Sequence, residues 1–147
     1  MQSLTEPSAS IDATNGTLTF GALLISSGTT CMQLRTAYPD NKIRDMGNGY
    51  FWIYFSDIAV GDKTFYPSVC FDGDRLFMVD FWFKCKGEKI VTDWNDWSEE
   101  YERNQQKKFK KWLTQQIGAK RQFPWGSIGA YYDPKSSTSG IAVKYVS

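Results

Sequence analysis

The chain has 147 residues, a length typical of one folded domain, and a nearly balanced charge, with 17 basic and 16 acidic residues. It contains no histidine. This absence excludes Ser-His-Asp and Cys-His catalytic centres and HExxH zinc sites, and the glycines lack the spacing of nucleotide-binding loops. We therefore predict no enzymatic activity, no catalytic residues, no cofactor and no metal site.

The first residues and the cysteines indicate a reduced compartment. Residues 2–7 lack the basic and apolar regions of a secretory signal peptide, and no apolar stretch approaches the roughly 20 residues that cross a bilayer. Cys31, Cys70 and Cys85 have no CxxC spacing, which favours reduced thiols over a disulfide framework. The expectation is a cytoplasmic protein without a membrane partner, whose oligomeric state stays open.

The amino-terminal region predicts a tail, a strand and a short helix. Residues 1–14 are rich in Ser, Thr, Ala and Asp and predict a flexible tail ahead of a single domain over residues 15–147. Alternating apolar residues over 17–25 predict one strand. Thr29 or Thr30 is then expected to cap the start of a short helix, because a threonine hydroxyl can accept a hydrogen bond from an amide of the first helical turn. The buried stripe of this helix is expected to consist of Cys31, Leu34 and Tyr38.

The middle of the chain alternates with period two, which indicates β-strands. No connection there is long enough for a crossover helix, so the strands are predicted to form an antiparallel meander. Gly61-Asp62 and Asp72-Gly73-Asp74 are expected to form its turns. The predicted strands are 50–55, 58–60, 64–71 and 75–84.

The carboxyl-terminal region predicts one long helix and a hairpin. The helix is expected to begin near Asp96 or Ser98 and to end at Ile117, with Gly118 just beyond it and residues 102–108 polar and exposed. The hairpin is expected over 127–132 and 141–146. The predicted fold class is α+β: an antiparallel sheet of about six strands with a short N-terminal helix and one long C-terminal helix packed against it.

Aromatic residues in two strands form the first candidate site. Along 50–55, Tyr and Trp alternate with Phe and Ile, and Asp80 interrupts an apolar strand on the face of Trp82. Aromatic rings with polar atoms around an acid are typical of a protein-binding surface. The alternatives are that both faces of the sheet are covered and the rings are core, and that Asp80 is an ordinary exposed acid or pairs with Lys or Arg. The candidate partner-binding residues are Tyr50, Trp52, Tyr54, Asp80 and Trp82.

Charge is unevenly distributed and suggests a second candidate. Residues 57–102 contain eleven acids and five bases, a net charge of −6, whereas residues 103–147 contain nine bases and one acid, a net charge of +8. A basic helix beside an aromatic sheet would suit single-stranded nucleic acid, although acids along the sheet would repel phosphate. A solvated helix face is the other interpretation. The candidate nucleic-acid-binding residues are Arg103, Lys107, Lys108, Lys110 and Lys111.

Motifs in the last third of the chain resemble a known group of proteins. They are Lys111-Trp112-Leu113 with Gly118, Phe123-Pro124-Trp125-Gly126-Ser127-Ile128 and Tyr132-Asp133-Pro134-Lys135. These motifs resemble small bacterial proteins of immunity type, which are antidotes of interbacterial toxins. The resemblance implies no catalytic residue and assigns no binding residue.

The predicted function is a non-catalytic protein-binding module, an immunity protein or inhibitor that neutralises a toxin or enzyme by stoichiometric binding. Single-stranded nucleic-acid binding is the alternative. A phage-encoded inhibitor of a host defence protein is a second alternative, which the sequence does not distinguish from the first function.

Overall fold

The main regular structure of the chain is β-strand. The structure, a computed structural model, describes residues 8–87, 99–136 and 138–146. Within these residues it contains eleven strands and two helices. The predicted α+β class with about six strands is therefore wrong: the fold is mostly sheet, with an eight-stranded antiparallel sheet and a separate three-stranded sheet.

The elements are numbered in chain order. The strands are β1 Ala9–Ile11, β2 Leu18–Phe20, β3 Leu23–Ile25, β4 Ile43–Asp45, β5 Tyr50–Tyr54, β6 Ile58–Val60, β7 Lys63–Asp72, β8 Arg75–Cys85, β9 Gln122–Phe123, β10 Gly126–Asp133 and β11 Thr138–Tyr145. The helices are α1 Cys31–Ala37 and α2 Glu99–Ile117. The large sheet has the order β4-β5-β7-β8-β11-β10-β9, and β6 also pairs with β7.

The small sheet consists of β1, β2 and β3 and corrects two predictions. Residues 17–25 form two strands and not one, because Gly21 adopts a φ of +61° and reverses the chain between them. Part of the predicted tail over residues 1–14 is ordered as β1, whose Ile11 is buried. Residues 1–7 lie outside the described part of the chain.

The short helix α1 forms where it was expected, because its first turn is capped. The Thr30 hydroxyl accepts a hydrogen bond from the Gln33 amide at 3.1 Å, and the Thr30 amide donates to the Gln33 side chain at 2.9 Å. This reciprocal pair satisfies two amides that the helix leaves open. Cys31 and Leu34 are buried, and the Tyr38 ring meets the edge of Phe55.

A β-bulge sets the register between β7 and β8. Phe71 pairs with Leu76 but Cys70 pairs with Met78, so Phe77 has no partner across the ladder. The bulge turns Leu76 into the core and leaves Phe77 half-buried, whereas unbroken alternation along β8 would place Phe77 on the same side as Phe81.

The core lies on one side of the large sheet, which we call the inner face. It is defined by Phe65, Phe81 and Phe83, each at most 1% exposed. The Trp112 ring of α2 lies 5.5–5.9 Å from all three, and the Phe20 ring of the small sheet lies 4.9 Å from Phe81. Burying each phenyl ring contributes about 1.5–3 kcal/mol, so α2 and the small sheet are both held on this face.

The long helix α2 ends as predicted, at Ile117. The Gly118 amide donates to the Thr114 carbonyl at 2.9 Å, and Gly118 takes a φ of +77°. The predicted start near Asp96 or Ser98 lies outside the described residues. The polar run 102–108 is not wholly exposed, since Glu102 is only 8% exposed.

Candidate partner-binding face and cleft

The other side of the large sheet, which we call the outer face, carries a different set of residues. The two helices and the three-stranded sheet pack on the inner face, so the outer face has no covering element in the part of the chain that the structure describes. By alternation along each strand and by cross-strand register, it includes Tyr50, Trp52, Tyr54, Tyr66, Ser68, Cys70, Asp72, Met78, Asp80, Trp82, Gly129, Tyr131, Gly140 and Ala142.

All five residues of the candidate partner-binding set lie on this outer face. Tyr50, Trp52 and Tyr54 are half-buried, and Trp82 is 37% exposed. These rings are outside the core cluster of the described residues, which lies on the opposite side of the same strands.

The rings of the outer face contact one another in pairs. Tyr66 and Trp82 are directly opposite in the β7–β8 ladder and stack at 4.1 Å with an interplanar angle of 11°. Trp52 and Tyr54 lie at 6.4 Å and 15°. Each such contact contributes about 0.5–1.5 kcal/mol beyond burial, so the aromatic surface is held in place before any partner binds.

Asp80 is the acid at the centre of this face. The Tyr131 hydroxyl lies 2.9 Å from each Asp80 carboxylate oxygen and donates its proton to them. Burial raises the pKa of Asp80 above its usual value, and the hydrogen bond from Tyr131 opposes this. The partner is thus a tyrosine from another strand, and not the Lys or Arg that the sequence suggested.

Tyr131 reaches Asp80 by crossing over β11 at a glycine. In the ladder Tyr131 faces Gly140, and a Cβ atom at Gly140 would lie 2.9 Å from the Tyr131 hydroxyl oxygen. Ser68 and Ala142, which flank Asp80 on the neighbouring strands, are also small. The small residues leave a depression around the carboxylate.

This depression opens into a cleft of about 520 Å³. The β8–β11 ladder pairs Met78–Phe81 with Ile141–Lys144. Past the Phe81–Ile141 end of this ladder, residues of β8 and β11 line one side of the cleft and residues of α2 line the other. The volume is in the range of ligand-binding sites. The cleft is lined by Tyr54, Phe55, Tyr66, Ser68, Asp80, Trp82, Phe83, Lys84, Tyr101, Glu102, Gln105, Phe109, Tyr131, Thr138 and Ser139.

Glu102 contributes a second carboxylate to the cleft. It is 8% exposed and accepts a hydrogen bond from the Ser139 hydroxyl at 2.8 Å. The hydrogen bond joins α2 to β11 just past the end of the β8–β11 ladder. Two carboxylates and one ammonium group, that of Lys84, therefore line the cleft.

Positive charge surrounds the aromatic surface. The Lys42 ammonium lies 6.0 Å from the Tyr54 ring, Arg44 faces Trp52 across the ladder, and Lys144 faces Met78. The border of the outer face also carries an acid, Asp72, which faces Tyr50 across the ladder and pairs with Arg75.

Cys70 lies on the same face but is not a reactive group. It is 2% exposed, and burial raises the pKa of its thiol to about 11. Since the thiolate is the nucleophile, this thiol is inert at neutral pH. No group of three or more Cys, Asp and Glu residues in the described ranges is arranged to hold a metal ion.

No protein-family model and no curated protein matches this sequence. The fold does have a match. A chain of the solved structure "Rhs1-CT in complex with cognate immunity protein RhsI1" is similar over 94% of this chain and 87% of its own length, with a TM-score of 0.60. The sequence identity is 17%, so the similarity shows a shared fold.

The basic residues of α2 lie on a different side of the molecule. Arg103, Lys107, Lys110 and Lys111 are exposed on the helix surface that faces away from Phe109 and Trp112. Because α2 covers the inner face, these charges and the aromatic outer face do not share one surface. Neither described helix is long and apolar enough to cross a membrane.

Two of the basic residues have partners within the protein. The Lys108 ammonium donates to the Phe83 carbonyl at 3.1 Å and lies 5.0 Å from the Phe109 ring. Arg103 lies 3.5 Å from Glu99 and 5.2 Å from the Tyr132 ring. The five candidate nucleic-acid-binding residues are thus not equally available to a ligand.

Three residues of the site were missed from sequence: Tyr66, Glu102 and Tyr131. Tyr66 lies in a predicted strand, and alternation places it opposite the core, so its position on the outer face could have been predicted. Its pairing with Trp82 could not have been predicted, because that pairing depends on the bulge at Phe77. Tyr131 meets Asp80 across 51 positions of sequence, and no local pattern signals such a contact.

Proposed function

We propose that this protein neutralises a protein toxin by binding it stoichiometrically through the outer face, with no chemistry of its own. The observation that carries the proposal is the pre-formed aromatic surface, open in the described part of the chain, on the side of the sheet that the core does not use. The fold shared with a chain of an immunity-protein complex supports the same function.

The composition of the outer face suits a protein partner. Tyr and Trp are enriched among residues that dominate binding energy, because each combines a large rigid ring with a polar atom. The stacked pairs Tyr66–Trp82 and Trp52–Tyr54 lose little side-chain freedom when a partner covers them. An inhibitor of a host defence protein would use the same surface, so the two functions differ only in the identity of the partner.

Nucleic-acid binding receives less support. Base stacking and phosphate contacts must occur on one continuous surface, whereas the aromatic rings and the exposed lysines of α2 lie on opposite sides of the sheet. Lys108 is also engaged with Phe83.

The direct test is recovery of the partner on the full-length tagged protein from nuclease-treated lysate of the native host. The recovered protein is then purified, mixed with this protein and examined by light scattering and calorimetry. We expect a 1:1 complex, and co-expression that relieves the growth defect caused by the partner alone. Recovery of nucleic acid only, released by salt, would favour the alternative.

Two matched variants locate the surface. Tyr50→Ala with Trp52→Ala removes rings from the outer face outside the cleft, and Lys107→Glu with Lys110→Glu reverses charge on α2. The first variant is expected to weaken binding by about 100-fold or more, since hot-spot residues contribute roughly 2 kcal/mol or more each. The second variant is expected to bind like the unaltered protein. The reverse pattern would contradict the proposed surface.

A further inference from the structure

We propose that the cleft between β8, β11 and α2 binds a basic side chain, Arg or Lys, of the protein partner. The inference rests on the proposed function and adds the chemistry by which the partner is recognised. It is carried by the aromatic walls of the cleft, by two carboxylates that form no ion pair with the described residues and by the space left around them.

The walls are suited to a cation. Tyr54, Tyr66, Trp82 and Tyr131 surround the depression that holds Asp80. Aromatic faces attract ammonium and guanidinium groups, and cages of several rings around such a group are a common means of recognising it. A neutral polar ligand would gain less from these rings.

The floor offers unused hydrogen-bond acceptors. One hydroxyl proton of Tyr131 serves both oxygens of Asp80, although a carboxylate has about four acceptor positions. The Glu102 Oε1 atom accepts from Ser139, and its Oε2 atom makes no hydrogen bond or ion pair with the described residues. A guanidinium or ammonium group would fill these positions.

Neither carboxylate forms an ion pair with a described residue. The ion pairs of the described residues join Lys63 to Asp62, Arg75 to Asp72 and Arg103 to Glu99, and none involves Asp80, Glu102 or Lys84. A partly buried carboxylate without a cation is unfavourable, so a partner cation entering the cleft is attracted more strongly than it would be in bulk water.

The ligand that fits is a flexible basic side chain and not a metal ion. The volume of about 520 Å³ accommodates a charged head with its alkyl stem. The rings supply apolar contact for such a stem and no metal ligands.

The probe for this site is n-butylguanidinium, titrated into the full-length protein and followed by the indole N–H signals in a ¹H–¹⁵N spectrum. A Trp82→Phe variant assigns the Trp82 signal. We expect a saturable shift of that signal with a dissociation constant on the order of 1 mM. The neutral isostere n-butylurea is expected to give no saturable shift. A missing shift, or an equal one with n-butylurea, would overturn the inference.

The matched variant is Asp80→Asn with Glu102→Gln, which keeps the shape of the cleft and removes both charges. Provided its spectrum remains that of a folded protein, we expect at least a tenfold loss of affinity for n-butylguanidinium and for the partner. Unchanged affinity for both would refute the inference.

If Tyr50→Ala with Trp52→Ala abolishes partner binding while Asp80→Asn with Glu102→Gln does not, the proposed function stands and the inference fails. If n-butylguanidinium binds at Asp80 but no protein partner uses the outer face, the proposed function fails and with it this role of the cleft.

Discussion

The two faces of the large sheet are built from the same strands yet have different chemistry. Phe81 and Trp82 are adjacent in β8, but Phe81 is fully buried against Trp112 while Trp82 is 37% exposed and stacks on Tyr66. In β7 and β8 the aromatic residues of the inner face are Phe, whereas Tyr66, Asp80 and Trp82 lie on the outer face of these two strands. A ring with a polar atom suits a surface that is partly in contact with water, because the ring packs while the polar atom can form a hydrogen bond.

The strongest test of this comparison is Phe81→Ala. The side chain is 0% exposed and contacts the rings of Phe20, Phe65 and Trp112. We expect the free energy of unfolding to fall by about 3–5 kcal/mol, the usual effect of removing a buried phenyl ring. Urea unfolding followed by circular dichroism measures it. A loss below about 1 kcal/mol would show that the inner face is not the core.

Gly140→Ala tests the crossing of Tyr131 over β11. The new methyl group would overlap the Tyr131 hydroxyl and approach the Phe81 carbonyl, and overpacking of this kind costs about 1–3 kcal/mol. Urea unfolding is again the measurement. With Tyr131→Phe in the same chain, the two losses are expected to be less than additive, because the atom that collides is gone. Full additivity would mean that Tyr131 does not lie over Gly140.

Trp82→Ala is the counterpart of Phe81→Ala one residue along the strand. Because Trp82 is partly exposed and its main ring contact is with Tyr66, we expect a loss of only about 1 kcal/mol in unfolding free energy. The same urea experiment gives the value. A loss as large as that of Phe81→Ala would place Trp82 in a second core and remove the distinction between the faces.

Asp80→Asn is expected to have the smallest effect, an increase in stability on the order of 1 kcal/mol at neutral pH. Burial raises the pKa of Asp80 in the folded protein above its unfolded value near 3.8. The folded state therefore binds the proton of the Asp80 carboxyl group more tightly than the unfolded state does. Stability therefore falls as pH rises from the unfolded pKa through the folded pKa, and the full penalty persists above the folded value.

The measurement is the difference in unfolding free energy between the unaltered protein and Asp80→Asn as a function of pH. The difference should be present at neutral pH. It should vanish below the unfolded pKa, where the Asp80 carboxyl group is protonated in both the folded and the unfolded state. A variant that is less stable at neutral pH would mean that the charge of Asp80 supports the fold.

Local patterns were sufficient for some elements and not for others. Alternation placed Tyr50, Trp52 and Tyr54 on one face of their strand and Asp80 and Trp82 on one face of theirs, as in the structure. Capping residues also marked the start of α1, at Thr29 or Thr30, and the end of α2, at Gly118. The fold class was wrong partly because strands such as β1, β4 and β9 have two or three residues, too few for a periodic signal.

The remaining errors have one physical origin, which is that register and long-range contacts are decided by packing. An unbulged hairpin around Gly73 would pair Tyr66 with Phe81. The bulge at Phe77 shifts the register by one residue, so that Phe65 meets Phe83 in the core and Tyr66 meets Trp82 outside. The demand for a continuous Phe layer selects this register. The Asp80–Tyr131 contact follows from the position of β11 between β8 and β10.

The pairing of β8 with β11 also sets the order in which the protein matures. Hairpins such as β7–β8 close over a few residues, whereas Asp80 and Ala142 meet only after the whole of α2 has been made. During synthesis, β8 therefore presents an unpaired edge until residues 138–145 emerge from the ribosome. In a newly made chain the aromatic strands β5, β7 and β8 are therefore available before the cleft, which forms only when β11 pairs with β8.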